Sequence, residues 1–415
     1  MARKAYDWEI GSPPPEIEPH SIAKHEVLDG YIRRYIEVVT ASRKVHGLHI
    51  TLVDGFAGGG LYRRRDTAEL HAGSPLRLLT GIAEAHATLE AARETTFPLD
   101  ARFVFVEQRR KSMLFLEDVL RKSGFGPRIG ADVQLVPGAF EENVDPIIAQ
   151  IKQRGRSGRS IWVLDQYGYT DVLFPTVRRI LDSLDKAEVL LTFSTDWLID
   201  FLADSPASQK ALGKLGLSPS ALLEKKDGPD WRRAIQFELH RHIRPLTGAS
   251  YYTPFFIESP SAHRSYWLLH LAKHPKANDV MKHLHWDIEN HFGHYGGAGL
   301  QMLGYTPMHD ANVTAQTRFA FNVSARSLAE NALLDDLPRL LWTREGISFG
   351  KLIEEITNDT PASSTIVGAV LLDLNRAGTL TILGEKGGTR RVHDRIGAHD
   401  IIKPNRQLVI FPPRR

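Results

Sequence analysis

The chain contains no cysteine, which excludes disulfides, thiolate zinc sites, cysteine-ligated iron–sulfur clusters and a cysteine nucleophile. That absence does not fix the compartment, because cytosolic proteins lack disulfides whether or not they contain thiols. Long apolar runs are also missing. Segments such as Ala369–Leu372 and Val189–Leu191 fall far short of the ~20 residues needed to span a bilayer. Nor does one sign of charge dominate: 52 Lys/Arg stand against 49 Asp/Glu, a formal +3 over 415 residues. A global polyelectrolyte signal for nucleic acid is therefore absent, and any such signal must be local. The first 15 residues carry charges and three consecutive prolines but no apolar h-region, so no secretory signal is read there. A soluble, cytoplasmic protein is the expectation.

What is present is an ordinary globular composition, 42% hydrophobic and 24% charged, which argues against wholesale disorder. The length suggests two or three domains. Residues 21–40 place Leu28, Tyr31, Ile32, Tyr35, Ile36 and Val39 at amphipathic-helix spacing, with Ser21 as N-cap. Short apolar runs then alternate with helical stretches. Strands are predicted at Ile50–Asp54, Phe103–Glu107, Val133–Val136, Ile161–Asp165 and Glu188–Phe193. Helices are predicted at Pro75–Leu89, Lys111–Lys122, Val144–Gln153 and Val172–Ser183. Such alternation indicates a parallel, doubly wound sheet. A helical insertion is expected at about 199–245. Thr253–Ser259 and Ser265–Leu271 then read as a hairpin-like closure of the sheet.

From about Thr343 a small unit is expected. Phe349, Leu352, Ile353 and Ile356 form one helical stripe, and Val367, Val370, Leu371 and Leu374 a second that stops at Gly378. A strand (Thr379–Leu383), a Gly-rich basic tip (Gly384–Arg391) and a closing strand (Gln407–Phe411) complete a winged-helix pattern. The predicted organisation is an N-terminal helical segment (1–47), an α/β domain (48–310), a helical linker (311–342) and a winged helix (343–415).

The chemistry centres on Asp54-Gly55-Phe56-Ala57-Gly58-Gly59-Gly60, a Gly-rich turn closing the first predicted strand. Small residues there let backbone approach a ligand, and the acid can accept from an ammonium or hydroxyl. The second strand ends in Glu107, a position from which a carboxylate grips ribose hydroxyls, with Gln108 beside it. The fourth ends in Asp165-Gln166-Tyr167-Gly168-Tyr169, so three strand ends bring acids to one crevice. Asp54 and Glu107 lie 53 residues apart, against ~20 in a compact dinucleotide fold, which weakens an NAD reading and requires an insertion at Leu61–Gly73.

These residues resemble class I S-adenosylmethionine-dependent methyltransferases, and more closely the three-Cys-motif partner family (TcmP). The resemblance rests on Pro19-His20-Ser21 with Lys24-His25, on Val53-Asp54-Gly55-Phe56-Ala57-Gly58 and on Gly73-Ser74-Pro75-Leu76. Phe105-Val106-Glu107, Leu164-Asp165-Gln166-Tyr167-Gly168 and Lys273-His274-Pro275 complete it, over roughly residues 15–310. It implies a Rossmann-like sheet with a closing antiparallel strand and S-adenosylmethionine as cofactor. Asp54, Gly55, Phe56, Ala57, Gly58 and Gly60 would surround the methionine part, and Glu107 and Gln108 the ribose side. Asp165 and Tyr167 would face the methyl sulfonium as catalytic residues, with Asp165 also among the cofactor-binding residues. The sequence has Gln166 where the amino-methyltransferase motif prefers proline, and Gly168 where it prefers an aromatic.

The implied activity is methyl transfer to nucleic acid. The alternative is a non-catalytic or cofactor-holding partner of a three-Cys-motif, radical-type iron–sulfur protein; a third reading is a nucleotide-sensing DNA-binding regulator. Among basic clusters, Arg63 and Arg64 follow the cofactor turn and could contact phosphate. Residues 343–415 hold 11 Lys/Arg against 8 Asp/Glu, with Lys386, Arg390 and Arg391 on the predicted wing tip. Ser363, Ser364 and Thr365 begin the predicted recognition helix. The module suits DNA or RNA, or protein docking. His283, His285, His291 and His294 are dense in imidazole but match no metal-site spacing. They read as packing near Trp286 and Tyr295, with His291 and His294 open to a rim role; no metal and no membrane partner is expected.

Overall fold

Pro19 opens the first helix because its missing N–H and fixed φ cost nothing in a first turn. Helix α1 accordingly runs Pro19–Val39. Ser21 therefore lies inside the first turn rather than at the cap, which Glu18 occupies without a side-chain hydrogen bond. The computed structural model describes residues 6–155, 158–166, 168, 170–194, 198–199, 202, 205–224, 231–259, 264–288, 293–294, 298–300, 319–385, 388 and 395–406. The chain divides into two compact units, Met1–Ala277 and Asn278–Arg415.

In the first unit α1 buries Val27, Leu28, Tyr31, Ile32, Tyr35 and Ile36. The strands are β1 (Leu48–Asp54), β2 (Leu61–Arg63), β3 (Leu70–Ala72), β4 (Leu99–Glu107), β5 (Val133–Pro137), β6 (Arg159–Leu164), β7 (Ala187–Phe193), β8 (Tyr251–Ser259) and β9 (Arg264–Ala272). Between them lie α2 (Ser74–Arg93), α3 (Arg110–Lys122), α4 (Phe140–Gln153) and α5 (Phe174–Ser183), then α6 (Pro206–Lys214), α7 (Pro219–Leu223) and α8 (Trp231–Thr247). Seven strands form one sheet in the order β5-β4-β1-β6-β7-β9-β8. The first five are parallel, with β1 central: Leu52 pairs with Phe103 on one side and Ile161 on the other. Strand β9 runs antiparallel to both β7 and β8. This is a Rossmann-like, doubly wound sheet with the antiparallel closure that the β8 and β9 segments predict.

Every residue of β7 is buried, as is every residue of β6 after Arg159. Parallel strands covered on both faces read as continuous apolar runs, which is why these elements are visible in the sequence. The chain leaves β1 towards β4 and β5, then returns past β1 to build β6 and β7. The β1/β6 boundary is thus the topological switch point, where strand ends diverge and open a crevice. The Leu61–Gly73 insertion is not plain loop: β2 and β3 pair antiparallel within it.

In the second unit the described elements are the remainder of α9 (Pro275–Ile288), β10 (Gly293–His294) paired with β11 (Phe319–Ala320), and α10 (Val323–Leu341). Then follow β12 (Ile347–Ser348), α11 (Phe349–Ile356), α12 (Ser364–Arg376), β13 (Leu380–Leu383) and β14 (Ile401–Pro404). The last strands form an antiparallel sheet, β12-β14-β13. The partner of β13 is therefore Ile401–Pro404; the predicted closing strand Gln407–Phe411 lies outside the described residues. Among the described residues no helix is long and apolar enough to cross a membrane.

Candidate active site

Three carboxylates stand at the carboxyl ends of β1, β4 and β6, as the sequence places them. Asp54 closes β1 and is fully buried. Its Oδ1 accepts from the Phe56 N–H at 3.0 Å, and Oδ2 has no hydrogen-bond partner among the described residues. Burial pushes its carboxyl up to about 7; Ser74 and the Phe56 N–H oppose the rise, and the charges of Asp165 and Glu107 add to it.

Glu107 closes β4 and reaches back to the turn. Its Oε2 accepts from the Gly58 N–H at 2.9 Å and Oε1 from the Arg109 N–H at 2.7 Å. Each carboxylate oxygen has two lone pairs, so acceptor capacity remains for a ligand hydroxyl. Gln108 next to it is exposed.

The turn itself is shaped by its neighbours. Gly58 and Gly60 have φ of +59° and +73°, a region costly for residues with a Cβ. At Gly60 a Cβ would also meet Leu116 at 2.6 Å, and at Gly55 it would meet Leu164 and Phe140 at 2.7 and 2.8 Å. At Gly58 and Gly59 the obstacle is the indole of Trp8, at 2.8 and 2.3 Å. The N–H groups of Gly55 and Ala57 donate to the Val163 and Val106 carbonyls, tying the turn to β6 and β4. Phe56 packs on Phe140 with ring centroids 5.9 Å apart.

Trp8 belongs to an N-terminal strap that the sequence does not reveal. The indole Nε1–H donates to the Leu61 carbonyl at 2.8 Å, and Tyr6, Trp8 and Tyr62 form an aromatic cluster with centroids 5.2–5.5 Å apart. Arg109 donates to the Tyr6 carbonyl at 2.9 Å and Lys111 pairs with Glu9 at 3.2 Å. Further on, Arg63 bridges Glu16 in backbone and side chain, the guanidinium reaching Glu16 at 3.1 Å. Arg64 pairs with Asp66 at 3.3 Å. Both arginines assigned to phosphate thus face acids of this chain.

At the third strand end, the Lys24 ammonium of α1 donates to both oxygens of Asp165, at 2.5 and 2.6 Å. Burial disfavours the Asp165 charge, but Lys24 overrides it, with help from Thr192, and holds the carboxyl below its usual range. In the sequence Lys24 is only part of the Lys24-His25 pair and carries no local sign of a role, since 141 residues separate it from Asp165. Gln166 is buried and its Oε1 accepts from the N–H groups of Asp171 at 3.1 Å and Val172 at 2.9 Å. These side-chain hydrogen bonds pin the loop after β6 at the position where the sequence resemblance expects a proline. Tyr167 and Tyr169 lie outside the described residues.

A buried polar chain backs the site. His25 Nδ1 lies 3.0 Å from His71 Nε2, and Arg77 donates to the same His71 atom at 3.1 Å. Burial and the Arg77 charge hold His71 down to about 4 and His25 well below its ordinary value. Two donors on one nitrogen require a neutral His71 with its proton on Nδ1. Arg77 also pairs with Asp29 of α1, locking α1 to α2.

In the second unit the start of α12 is already capped. Asp279 accepts from the Ser364 N–H and Oγ–H, both at 2.7 Å. That carboxylate sits where a phosphate would be held at a helix N-terminus. Ser363 is buried, and the Ser364 N–H and hydroxyl already have Asp279 as their partner. On the same face of α9, fully buried Lys282 donates to the Thr357 carbonyl and, at 3.0 Å, to its hydroxyl; Trp286 donates to the Pro361 carbonyl at 2.9 Å. His283 reaches Thr365 at 3.3 Å and His285 stacks near Phe321, so these two imidazoles serve packing. Among the described residues no group of three or more His, Asp or Glu is placed to hold a metal. Lys386, Arg390, Arg391 and His291 lie outside the described residues.

No family model and no curated protein matches the chain. Solved structures similar to it include a protein of Legionella pneumophila str. Philadelphia 1, 10% identical over 62% of this chain and 85% of that one, TM-score 0.35. A SAM-dependent methyltransferase from Agrobacterium tumefaciens is 11% identical over 62% and 64%, TM-score 0.31. The N-terminal domain of human METTL16 in complex with SAH is 10% identical over 59% and 68%, TM-score 0.28.

Proposed function

We propose that the first unit binds S-adenosylmethionine and transfers its methyl group to a nucleic acid. The observation that carries this reading is the set of three acids, Asp54, Glu107 and Asp165, at adjacent carboxyl ends of a class I methyltransferase sheet. The site suits the cofactor: Asp54 offers a buried carboxyl oxygen without a partner, and Glu107 retains lone pairs for ribose hydroxyls. The turn from Asp54 through Gly55, Phe56, Ala57, Gly58 and Gly60 would hold the methionine part, and Glu107 with Gln108 the ribose side. S-adenosylmethionine supplies a methyl group already activated on a sulfonium. The work left to the chain is alignment and charge placement. Asp54 orients an ammonium, while Asp165, kept ionised by Lys24, presents a fixed negative charge at the third strand end.

The second unit supports a winged-helix reading through its element order, α10-β12-α11-α12-β13-β14, and its sheet order, β12-β14-β13. With the α12 start capped by Asp279, nucleic-acid contact is assigned to the basic tip at Lys386, Arg390 and Arg391. The test is incubation of the full chain with methyl-labelled cofactor and separate DNA, RNA and protein pools. Label in nucleic acid, lost in Asp165→Ala, is expected. Cofactor binding with no transfer to any pool would instead favour the partner role for a three-Cys-motif protein.

A further inference from the structure

We propose that Lys24 contacts the methyl acceptor and that this acceptor is a hydroxyl, the ribose 2′-hydroxyl of RNA, rather than the exocyclic amine of a base. The inference rests on the methyltransferase reading above and sharpens its substrate.

Lys24 sits in the first turns of α1, one of the elements that cover the crevice, and its side chain is 12% exposed against 35% for Asp165. The pair is therefore held firmly but reachable from one side. Two of the three ammonium N–H donors go to the Asp165 oxygens, at 2.5 and 2.6 Å, and one remains among the described residues. Lys24 and Thr192 use three of the roughly four lone-pair sites of the Asp165 carboxylate, which leaves about one for a ligand. A donor and an acceptor thus stand side by side at the third strand end. A hydroxyl is the complementary partner, since one oxygen both accepts from Lys24 and donates to Asp165. An exocyclic amino group conjugated to a base only donates, so the ammonium would face it donor to donor, and burying that mismatch is costly. The surroundings do not relieve it: burial and Lys24 itself hold His20 down to about 4, so this neighbour stays neutral. Among the hydroxyls of a polynucleotide chain interior, the 2′-hydroxyl is the one that distinguishes RNA from DNA.

The transfer balances without a further reagent. As the hydroxyl oxygen bonds to the methyl carbon, the carbon–sulfur bond breaks and its electron pair returns to sulfur, leaving a neutral thioether. The O-methylated oxygen, briefly positive, gives its proton to the Asp165 carboxylate, from which it passes to water. Lys24 accepts no proton; it orients the oxygen and keeps Asp165 ionised until that moment.

The test labels an RNA pool with the full chain and methyl-labelled S-adenosylmethionine, then hydrolyses it in alkali, alongside equilibrium dialysis of the cofactor. A 2′-O-methyl blocks cleavage, so label is expected in alkali-stable dinucleotides. Lys24→Met is expected to lower transfer at least ~100-fold with cofactor affinity unchanged. A Lys24→Met/Asp165→Asn double variant, which leaves no lone buried charge, is expected to fold like the parent and still not transfer. Label in mononucleotides, unlabelled RNA despite bound cofactor, or a Lys24→Met rate within a few-fold of the parent would each overturn the proposal. Absence of cofactor binding would instead overturn the methyltransferase reading beneath it.

Discussion

Asp54 pays for its place at the end of β1 in stability. Its carboxyl is raised to about 7 by burial, against ~4 in an unfolded chain. Between those values the folded state binds the extra proton, so this group's contribution is fully present below pH ~4 and is lost as pH rises through 7. A shift of that size corresponds to on the order of 2–4 kcal/mol. Asp54→Asn is therefore expected to unfold at higher temperature than the parent at pH 8, with the gap closing near pH 4. Calorimetric melting at both pH values checks this; a gap independent of pH would refute the assignment. Holding a carboxyl with one unpartnered oxygen in so costly a place is understandable if a ligand cation meets it.

At the scale of elements, the turn after β1 and the strap carrying Trp8 are coupled. Gly58→Ala adds a Cβ at φ +59°, 2.8 Å from the Trp8 ring. The backbone part alone costs ~1–2 kcal/mol. A double-mutant cycle with Trp8→Ala is expected to recover the clash but leave that backbone cost, a non-additivity above ~0.5 kcal/mol readable by denaturant melting. Strict additivity would mean that the strap does not rest on the turn.

The same scale explains what could be read in advance. The five parallel strands are apolar runs long enough to stand out, and their acidic ends mark the crevice. Strands β2 and β3 have three residues each, too few for alternation to register. The Lys24–Asp165 pair and the Asp279 cap on Ser364 join residues 141 and 85 positions apart. Contacts of that kind have no local signature; they follow from the fold that brings the elements together. The glycines were legible as a turn, yet their neighbours Leu116, Phe140 and Trp8 were not.

For the molecule as a whole, the formal +3 hides a division of charge. The 343–415 segment carries an excess of three basic residues, equal to that of the entire chain. Arg63 and Arg64, by contrast, are matched by Glu16 and Asp66. Affinity for RNA is therefore expected to fall with salt, and Lys386→Ala/Arg390→Ala/Arg391→Ala to weaken it and flatten that slope. Filter binding from 50 to 200 mM salt measures both; a slope unchanged in the triple variant would remove the tip from the interface.

A cofactor site formed by the strand-end acids is open to titration calorimetry with S-adenosylmethionine. One molecule bound per chain is expected, with binding lost in Asp54→Ala and Glu107→Ala variants that retain the parent's circular dichroism. No heat of binding in the parent, or equal affinity in both folded variants, would contradict it.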